Sequence, residues 1–357
     1  MTLFLIIPVI SFTMAQEIPS IDSLFIKYSG EKTPGASLMI IQNGKPVFQK
    51  SFGFAVLEKN TPVQPATNFR LASVTKQFTA TCILQLINEK KLSLENTLTQ
   101  VFPGFPDYGN SITIKHLLNH TSGLPDYENY VADSAFNPQV KDKGVLEILM
   151  KTDSGYFEPG TKYQYSNSAY ALLALIVEKY SGLSFADYLK QKIFEPLEMN
   201  TTIAFEKGVS MVNNRAMGYS LLNNQWILKD QSSTSAVLGD GGIYSNVEDL
   251  FKWDQSLYTE KILPRHLLKL AGSYNTLNNG DTVHYGFGWH LKKNEKNEQV
   301  IYHTGSTTSF RNIFYRIPEK KFSLILLTNR NRPQEEDMVG LAEKVIAAYE
   351  KSQQTGK

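Results

Sequence analysis

The chain has 357 residues, of which 42% are hydrophobic and 20% are charged, and this composition is typical of a folded globular protein. Its 36 basic and 34 acidic side chains leave a net charge of +2, which predicts no nucleic acid partner and no attraction to an anionic membrane. A single cysteine, Cys82, excludes an internal disulfide framework and a thiolate-rich zinc site.

The N-terminal segment resembles a secretory signal peptide in its layout. Residues 2–14 carry no charged side chain, and the apolar run at 3–10 is too short to span a bilayer as a helix. Thr13-Met14-Ala15 places small residues where a signal peptidase reads them, although no Lys or Arg stands near the start. We therefore expect cleavage after Ala15 and export to the periplasm or the medium, without a stable membrane anchor afterwards. The alternative is a buried N-terminal strand.

The first elements after this segment are a short helix and a hairpin. Apolar residues recur at helical spacing over 21–28. The runs at 36–41 and 47–52 are β-prone, and Asn43-Gly44 between them is a strong hairpin signal. Because the first run is apolar on both faces, we expect its strand to lie in a sheet that is covered on both sides.

The remaining pattern predicts helices in the middle and strands near the C-terminus. The predicted helices are 71–90, 112–120, 167–181 and a closing one over 338–349, and the predicted strands are 300–302, 312–317 and 322–327. This order predicts an α/β (α+β) fold, in which N- and C-terminal strands form an antiparallel sheet flanked by helices. We expect one domain over 16–357, with a sheet subdomain at about 20–75 and 280–351 and a mostly helical insertion at about 76–280.

Three short motifs contain residue types suited to acyl transfer. Ser73 and Lys76 stand three apart, so on a helix the lysine can reach the serine hydroxyl. Tyr165 is a poor base at its ordinary pKa of about 10 unless nearby positive charge stabilises its phenolate. Asn167 is able to accept a hydrogen bond from Lys76 and to donate one to a substrate carbonyl. Each motif alone has an ordinary structural explanation.

The third motif, His303-Thr304-Gly305-Ser306, stands at the end of a predicted strand. Gly305 would let a substrate backbone approach the strand edge. The backbone N–H of Ser306, together with that of Ser73, would form an oxyanion hole. Without the other motifs, this segment is an ordinary polar strand terminus.

In this order, S-x-x-K, Y-x-N and an H-T-G triplet resemble the serine β-lactamase-like superfamily, specifically its class C branch of β-lactamases, D,D-peptidases, D-aminopeptidases and esterases. The resemblance covers residues from about 20 to 350. It is strengthened by the segment at 114–124, by Glu158-Pro159-Gly160, by 195–199, by 241–245 and by 285–289.

The resemblance implies a role for each matching residue. Ser73 would be the acylated nucleophile, and Lys76 and Tyr165 would share the proton transfers, in a division that the sequence leaves open. Asn167, His303, Thr304 and Gly305 would bind the substrate. The implied reaction is a two-step acyl transfer through an acyl-enzyme, with no cofactor and no metal.

One residue departs from the pattern of the branch. Its β-lactamases and D,D-peptidases usually carry lysine where this chain has His303. Histidine is mostly neutral at pH 7, so it supplies less positive charge for a substrate carboxylate. We therefore expect a small-molecule or peptide substrate that is an ester or a peptide-like amide, rather than a β-lactam or a D,D-peptidase substrate.

Other functions are less well supported by the sequence. His116 and His120 have helical spacing for zinc, but Leu117 replaces the glutamate of a zincin, and no third ligand is evident. Cys82 falls on an apolar stripe and is expected to pack, and Gly241-Gly242 is expected to shape a loop. Three alternatives stay open, namely a β-lactamase or D,D-peptidase that acts on cell-wall-type substrates, an acyltransferase that uses the same acyl-enzyme, and a catalytically silent binding scaffold. The sequence does not predict the oligomeric state.

Overall fold

The computed structural model describes residues 17–132, 138–331 and 337–355, so the predicted signal peptide lies outside the described residues. The strands are Ala36–Gln42 (β1), Lys45–Phe52 (β2), Phe54–Val56 (β3), Thr61–Pro62 (β4), Phe69–Arg70 (β5), Ile203–Ala204 (β6), Tyr219–Leu222 (β7), Gln225–Leu228 (β8), Ile243–Ser245 (β9), Asn275–Thr276 (β10), Thr282–Val283 (β11), His290–Lys293 (β12), Gln299–Thr307 (β13), Phe310–Ile317 (β14) and Phe322–Thr328 (β15).

The α-helices are Pro19–Leu24 (α1), Lys76–Asn88 (α2), Leu98–Val101 (α3), Ile114–Leu118 (α4), Asp142–Leu149 (α5), Asn167–Ser181 (α6), Phe185–Leu189 (α7), Leu238–Gly241 (α8), Val247–Ser256 (α9), Arg265–Ala271 (α10) and Met338–Thr355 (α11). Short 3-10 helices cover Ile26–Tyr28, Ala72–Thr75, Asp107–Asn110, Tyr127–Tyr130 and Pro318–Lys320, and Lys190–Phe194 is π-helical.

The main sheet is antiparallel and joins the two ends of the chain. Its six strands lie in the order β12-β13-β14-β15-β1-β2, and β1 pairs with β15 so that Ala36 lies opposite Thr328. The predicted hairpin is confirmed, because Asn43 and Gly44 adopt φ of 52° and 75°, as a type I′ turn requires. The predicted fold class is confirmed by this arrangement.

Alternation along the strands gives the sheet two buried faces. On β1, Leu38 and Ile40 face one hydrophobic cluster, which also contains α11 side chains such as Leu341. Met39 and Ile41 face the other cluster, which includes the helical core around α2 and α6. This strand is therefore covered on both sides, as its apolar sequence predicts.

Two sequence predictions need correction in the middle of the chain. The predicted helix over 71–90 is a 3-10 turn over Ala72–Thr75 followed by α2, and the α-helix does not extend back to residue 71 because the φ of +50° at Ala72 lies outside the α-helical range. The insertion predicted as mostly helical at about 76–280 also contains strands, since it contributes β6 and β9 to a three-stranded sheet with β5, and the hairpin β7–β8.

Across residues 17–132, 138–331 and 337–355, no single helix is long and apolar enough to cross a bilayer. The helical segments Asn167–Ser181 and Phe185–Phe194, which meet at an angle of 78°, together have the length and apolar composition of a broken membrane span. Nine of the fifteen α6 residues are buried in the helical core.

Candidate active site

The predicted nucleophile, Ser73, lies in a strained turn at the start of α2. The preceding residue, Ala72, has a φ of +50°, a left-handed conformation that costs a residue with a Cβ about 1–2 kcal/mol. Ser73 itself is half-buried, and its carbonyl accepts the backbone N–H of Lys76. In a 3-10 turn, side chains three residues apart lie one above the other, so Ser73 and Lys76 are on the same face.

Lys76 is fully buried at the first position of α2. Its Nζ lies 3.2 Å from Ser73 Oγ, 2.8 Å from Asn167 Oδ1 and 2.8 Å from the carbonyl oxygen of Asp240. Three acceptors match the three N–H groups of an ammonium. Burial lowers the pKa of Lys76 from 10.5 to about 8, against the opposing charge of Asp240 and Glu128. At pH 7 a pKa of about 8 leaves about a tenth of the molecules with Lys76 as the neutral amine.

Tyr165 lies beside the same two residues. Lys76 Nζ is 4.9 Å from the centre of its ring. The hydroxyl is buried and makes no completed hydrogen bond. Burial raises the pKa of this phenol well above its ordinary value, and the neighbouring Ser73 hydroxyl acts in the opposite direction. In this structure Tyr165 is accordingly a protonated phenol, available as a proton donor.

Asn167 joins Lys76 to the exposed residue Glu128. It is the first residue of α6, whose N-cap Ser166 accepts the N–H of Ala169 at 3.1 Å. Its Oδ1 accepts from Lys76, as predicted, and its Nδ2 donates to Glu128 Oε1 at 3.2 Å. The contact with Glu128 is not evident from the sequence.

Asp240 forms the wall of the site on the side of α8. Its carbonyl accepts from Lys76, and its buried carboxylate accepts the hydroxyl of Tyr127 at 2.9 Å. The turn that carries it is fixed by Asp142, which accepts the backbone N–H groups of Leu238 and Gly239, both at 2.9 Å. Burial raises the pKa of Asp240, and the Lys76 ammonium opposes that shift. The Gly241-Gly242 segment thus belongs to a turn that touches the site.

The His303 ring is buried behind the strand edge. Its Nδ1 lies 2.7 Å from the Thr304 carbonyl, which only accepts, so Nδ1 carries the proton. Its Nε2 then accepts the hydroxyl of Tyr285 at 2.9 Å. Burial lowers the pKa of His303 well below 6.5, with His290 and Lys76 acting in the same direction. His303 is therefore a neutral residue whose two ring nitrogens are both bonded inside the protein. Substrate binding by His303 stays a prediction.

Two further histidines, His120 and His290, lie beside Tyr165, a position that no sequence motif indicates. His120 is fully buried, and its Nδ1 accepts the backbone N–H of Ser166 at 3.1 Å, which fixes the chain between Tyr165 and Asn167. His290 on β12 lies 6.1 Å from the Tyr165 ring centre. Burial and Lys76 lower the pKa of His290 to about 4. Both rings are neutral at pH 7, so they add no positive charge to the site.

The strand edge reaches the nucleophile turn directly. A Cβ on Gly305 would stand 2.1 Å from the Leu71 carbonyl, so only glycine permits this close approach. Asn312 on β14 reinforces it, because its Nδ2 donates to the carbonyl of Arg70 at 2.8 Å. Ser306 follows on the same strand with an exposed side chain, whose hydroxyl accepts from Arg311. The geometry thus brings the backbone of 305–306 beside the turn that carries Ser73, where the predicted oxyanion hole would form.

The residues of the alternative hypotheses lie in other surroundings. His116 caps α4, where its Nδ1 accepts the N–H of Thr113 at 3.2 Å, whereas His120 points toward the tyrosines. Among the described residues, no group of three His, Cys, Asp or Glu side chains is placed to hold a metal ion. Cys82 is fully buried in the helical core, and burial raises the pKa of its thiol.

Comparisons with known proteins agree with this geometry. The Beta-lactamase family profile matches residues 21–348. The chain belongs to the beta-lactamase family. It is 34% identical over 320 residues to penicillin-binding protein 4* of Bacillus subtilis, covering 86% of this chain and 70% of that protein. The chain spans 60–70% of the length of the curated relatives that it matches.

Two solved structures share the fold. The octameric penicillin-binding protein homologue from Pyrococcus abyssi superposes with a TM-score of 0.78 at 27% identity, over 96% of this chain and 78% of that one. The D-amino acid amidase from Ochrobactrum anthropi SV3 gives a TM-score of 0.77 at 23% identity, over 94% and 99%. The family profile and the curated relative, together with this shared fold, place the chain in the serine hydrolase family of the β-lactamase fold.

Proposed function

We propose that the protein is an exported serine hydrolase that cleaves an ester or a peptide-like amide through an acyl-enzyme on Ser73. The observation that carries this proposal is the 3.2 Å contact between Lys76 Nζ and Ser73 Oγ, in a site where burial lowers the pKa of the lysine to about 8. A buried lysine whose pKa lies near neutrality is a suitable proton acceptor for a serine hydroxyl.

The acylation step follows from these positions. Ser73 Oγ attacks the substrate carbonyl carbon while its proton passes to the neutral form of Lys76. The backbone N–H groups of Ser73 and Ser306 would stabilise the negative charge that develops on the carbonyl oxygen. When the tetrahedral intermediate collapses, the bond to the leaving group breaks, and that group takes a proton from Lys76, directly or by way of the Tyr165 hydroxyl. A water molecule then attacks the carbonyl carbon of the acyl-enzyme and passes a proton to Lys76. The bond to Ser73 Oγ breaks, the acyl group leaves as the acid, and Ser73 takes the proton back.

The charge of the site supports a neutral ester or amide over a β-lactam. A substrate carboxylate needs a fixed cation, and the ring of His303 is buried, neutral and bonded within the protein. β-Lactamase or D,D-peptidase activity is the second candidate, because a relative 34% identical to this chain is named a penicillin-binding protein.

Turnover of a substrate panel tests the proposal. Wild-type protein should hydrolyse p-nitrophenyl esters or amino acid anilides with a higher kcat/KM than a chromogenic cephalosporin. Ser73→Ala should lower the ester kcat/KM by at least about 10³-fold, since it removes the covalent intermediate. Ester turnover that survives in Ser73→Ala would contradict the proposal, and faster turnover of the cephalosporin would favour the second candidate.

Export is part of the same proposal, and it rests on the uncharged apolar segment at 3–10 and the small residues before Gln16. The intact mass of protein recovered from an exporting host should correspond to a chain that begins at Gln16. A mass that retains residues 1–15 would contradict cleavage after Ala15.

A further inference from the structure

The segment at 114–124 has no part in the proposed reaction, although one of its residues, His120, packs against Tyr165. The two ring centres are 4.3 Å apart, and the His120 side chain is fully buried. Among the described residues, the hydroxyl of Tyr165 has no hydrogen-bond partner that would anchor it. The place of this phenol in the site therefore depends on its backbone and on the rings that pack against it.

The backbone that carries Tyr165 belongs to no helix or strand. Residues 162–166 are irregular and end where α6 begins. His120 bonds to this segment on both sides of Tyr165, because its carbonyl accepts the N–H of Gln164 at 2.9 Å and its ring Nδ1 accepts the N–H of Ser166 at 3.1 Å. A single residue therefore holds the chain immediately before and immediately after the phenol.

The backbone of His120 has an unusual conformation. Its φ of 60° is left-handed, which is unfavourable for a residue with a Cβ. Glycine would adopt this conformation without strain, but glycine has no ring nitrogen to accept the N–H of Ser166. The turn is fixed from outside as well, since the carbonyl of the next residue, Thr121, accepts the N–H of Gly160 at 2.8 Å. Strain of this kind that supports a buried side-chain contact is typical of functional sites.

The ring of His120 acts as a hydrogen-bond acceptor for the chain. Because Nδ1 accepts the N–H of Ser166, the proton of the neutral ring is on Nε2, which is buried without a partner in the described part of the chain. Burial lowers the pKa of His120 well below 6.5, and Lys76 and His303 act in the same direction, so Nδ1 stays an acceptor at neutral pH. The ring is therefore not a proton acceptor in the reaction, and its effect passes through the chain at 164–166.

We propose that His120 is a positioning residue that holds the Tyr165 hydroxyl where it passes its proton to the leaving group and takes one from Lys76. The inference rests on the proposed function, because it requires that Tyr165 relays this proton. Proton transfer depends steeply on distance, and a displacement of about 1 Å costs about 100-fold in rate. Loss of the contact with Ser166 should therefore lower the rate of the chemical steps more than the affinity for the substrate.

Steady-state kinetics of His120→Leu with a p-nitrophenyl ester test this inference. Leucine has no acceptor atom, so kcat should fall about 100-fold while KM changes less than about threefold. His120→Asn places an amide oxygen at the position of Nδ1 and tolerates a positive φ, so it should restore kcat to within about 10-fold of the wild type. His116→Leu is the matched control and should keep the wild-type kcat, because it removes the same kind of bond, from Nδ1 to the N–H of Thr113 at 3.2 Å, away from Tyr165.

A double variant shows whether the effect passes through Tyr165. In Tyr165→Phe, which has no phenolic proton to place, the further change His120→Leu should lower kcat less than about threefold. A further loss of about 100-fold in that background would overturn the inference, because His120 would then act on another part of the site. A kcat of His120→Leu within about threefold of the wild type, or of His120→Asn no higher than that of His120→Leu, would overturn it as well.

Two controls keep these outcomes separate. If circular dichroism shows that His120→Leu does not fold, His120→Gln replaces it, since its amide oxygen lies one bond further from the backbone, and equal kcat values for His120→Gln and His120→Asn would overturn the inference. Ser73-dependent turnover that does not respond to changes at His120 would leave the proposed function intact. Absence of ester turnover by the folded wild type would instead contradict the proposed function.

Discussion

At the scale of single residues, the chemistry of the site depends on the burial of Lys76 beside uncharged tyrosine and histidine rings, which changes its pKa. Burial lowers the pKa of Lys76 to about 8, while Tyr165 keeps its proton because burial raises the pKa of its phenol. Together with the 3.2 Å contact between Lys76 Nζ and Ser73 Oγ, these opposite shifts favour Lys76 as the acceptor of the Ser73 proton in the proposed reaction. Tyr165 is then the better donor to a leaving group.

The pH dependence of turnover distinguishes the two proton acceptors. If neutral Lys76 is the base, kcat/KM for an ester without ionisable groups should rise with pH to a plateau, with a midpoint near 8, because the amine fraction rises through that pKa. If a Tyr165 phenolate supported by the Lys76 ammonium were the base, kcat/KM would instead fall as the ammonium loses its proton. A falling limb centred near pH 8 would therefore contradict the assignment.

The same pH profile of kcat/KM should be measured for Tyr165→Phe, which removes only the hydroxyl of the tyrosine. Loss of the phenol should lower the plateau at least about 100-fold if it shares in proton transfer. It should leave the rising limb in place, because the lysine remains. Loss of the rising limb together with the plateau would show that the titration belongs to the tyrosine.

The sequence predicts part of the site at this scale. Ser73 and Lys76 are close in the chain, and the contact between Lys76 and Asn167 was predicted from the hydrogen-bonding groups of the two side chains. The contacts of Asp240 with Lys76 and of Glu128 with Asn167 were not predicted, because each joins residues far apart in sequence and no motif includes Asp240 or Glu128. The neutral state of His303 was predicted, but the burial that enforces it depends on Tyr285, which only the fold brings near.

At the scale of elements, long segments were predicted better than short ones. β1, β2, β14, β15, α6 and α11 have enough residues to show a periodic pattern or a turn signal. The strands β5, β6 and β9 have two or three residues each, too few to show any period. The left-handed conformation of Ala72 was also not predictable, since an alanine rarely adopts a positive φ.

One buried ion pair joins a helix to the main sheet. Asp254 on α9 accepts from Arg316 Nε on β14 at 2.8 Å and from Ser323 Oγ on β15 at 2.6 Å. Both charged side chains are almost fully buried. A contact of this kind fixes the helical half against the sheet at one point.

Asp254→Ala should destabilise the protein by about 3–5 kcal/mol, because it leaves the Arg316 guanidinium buried without its counter-charge. Urea unfolding followed by circular dichroism measures this loss. The double variant Asp254→Leu/Arg316→Met, which removes both charges, should regain most of it. A loss below about 1 kcal/mol in Asp254→Ala would show that the pair does not hold the two elements together.

At the scale of the whole molecule, the site forms where the two ends of the chain meet its middle. Ser73 and Lys76 come from the start of α2, Asn167 comes from α6, and 303–306 come from β13 of the main sheet. The near approach at Gly305 requires the sheet and the helical half to be packed together. Function therefore depends on the complete fold, and no single segment carries the site.

The central claim is that this assembly activates Ser73 as a nucleophile, and covalent labelling tests it most directly. A fluorophosphonate reacts when a serine oxygen attacks phosphorus and expels fluoride, so the intact mass reports the adduct. The account predicts one adduct on the folded wild-type protein and none on Ser73→Ala. An unlabelled wild-type protein whose folding is confirmed, or an equally labelled Ser73→Ala variant, would contradict it.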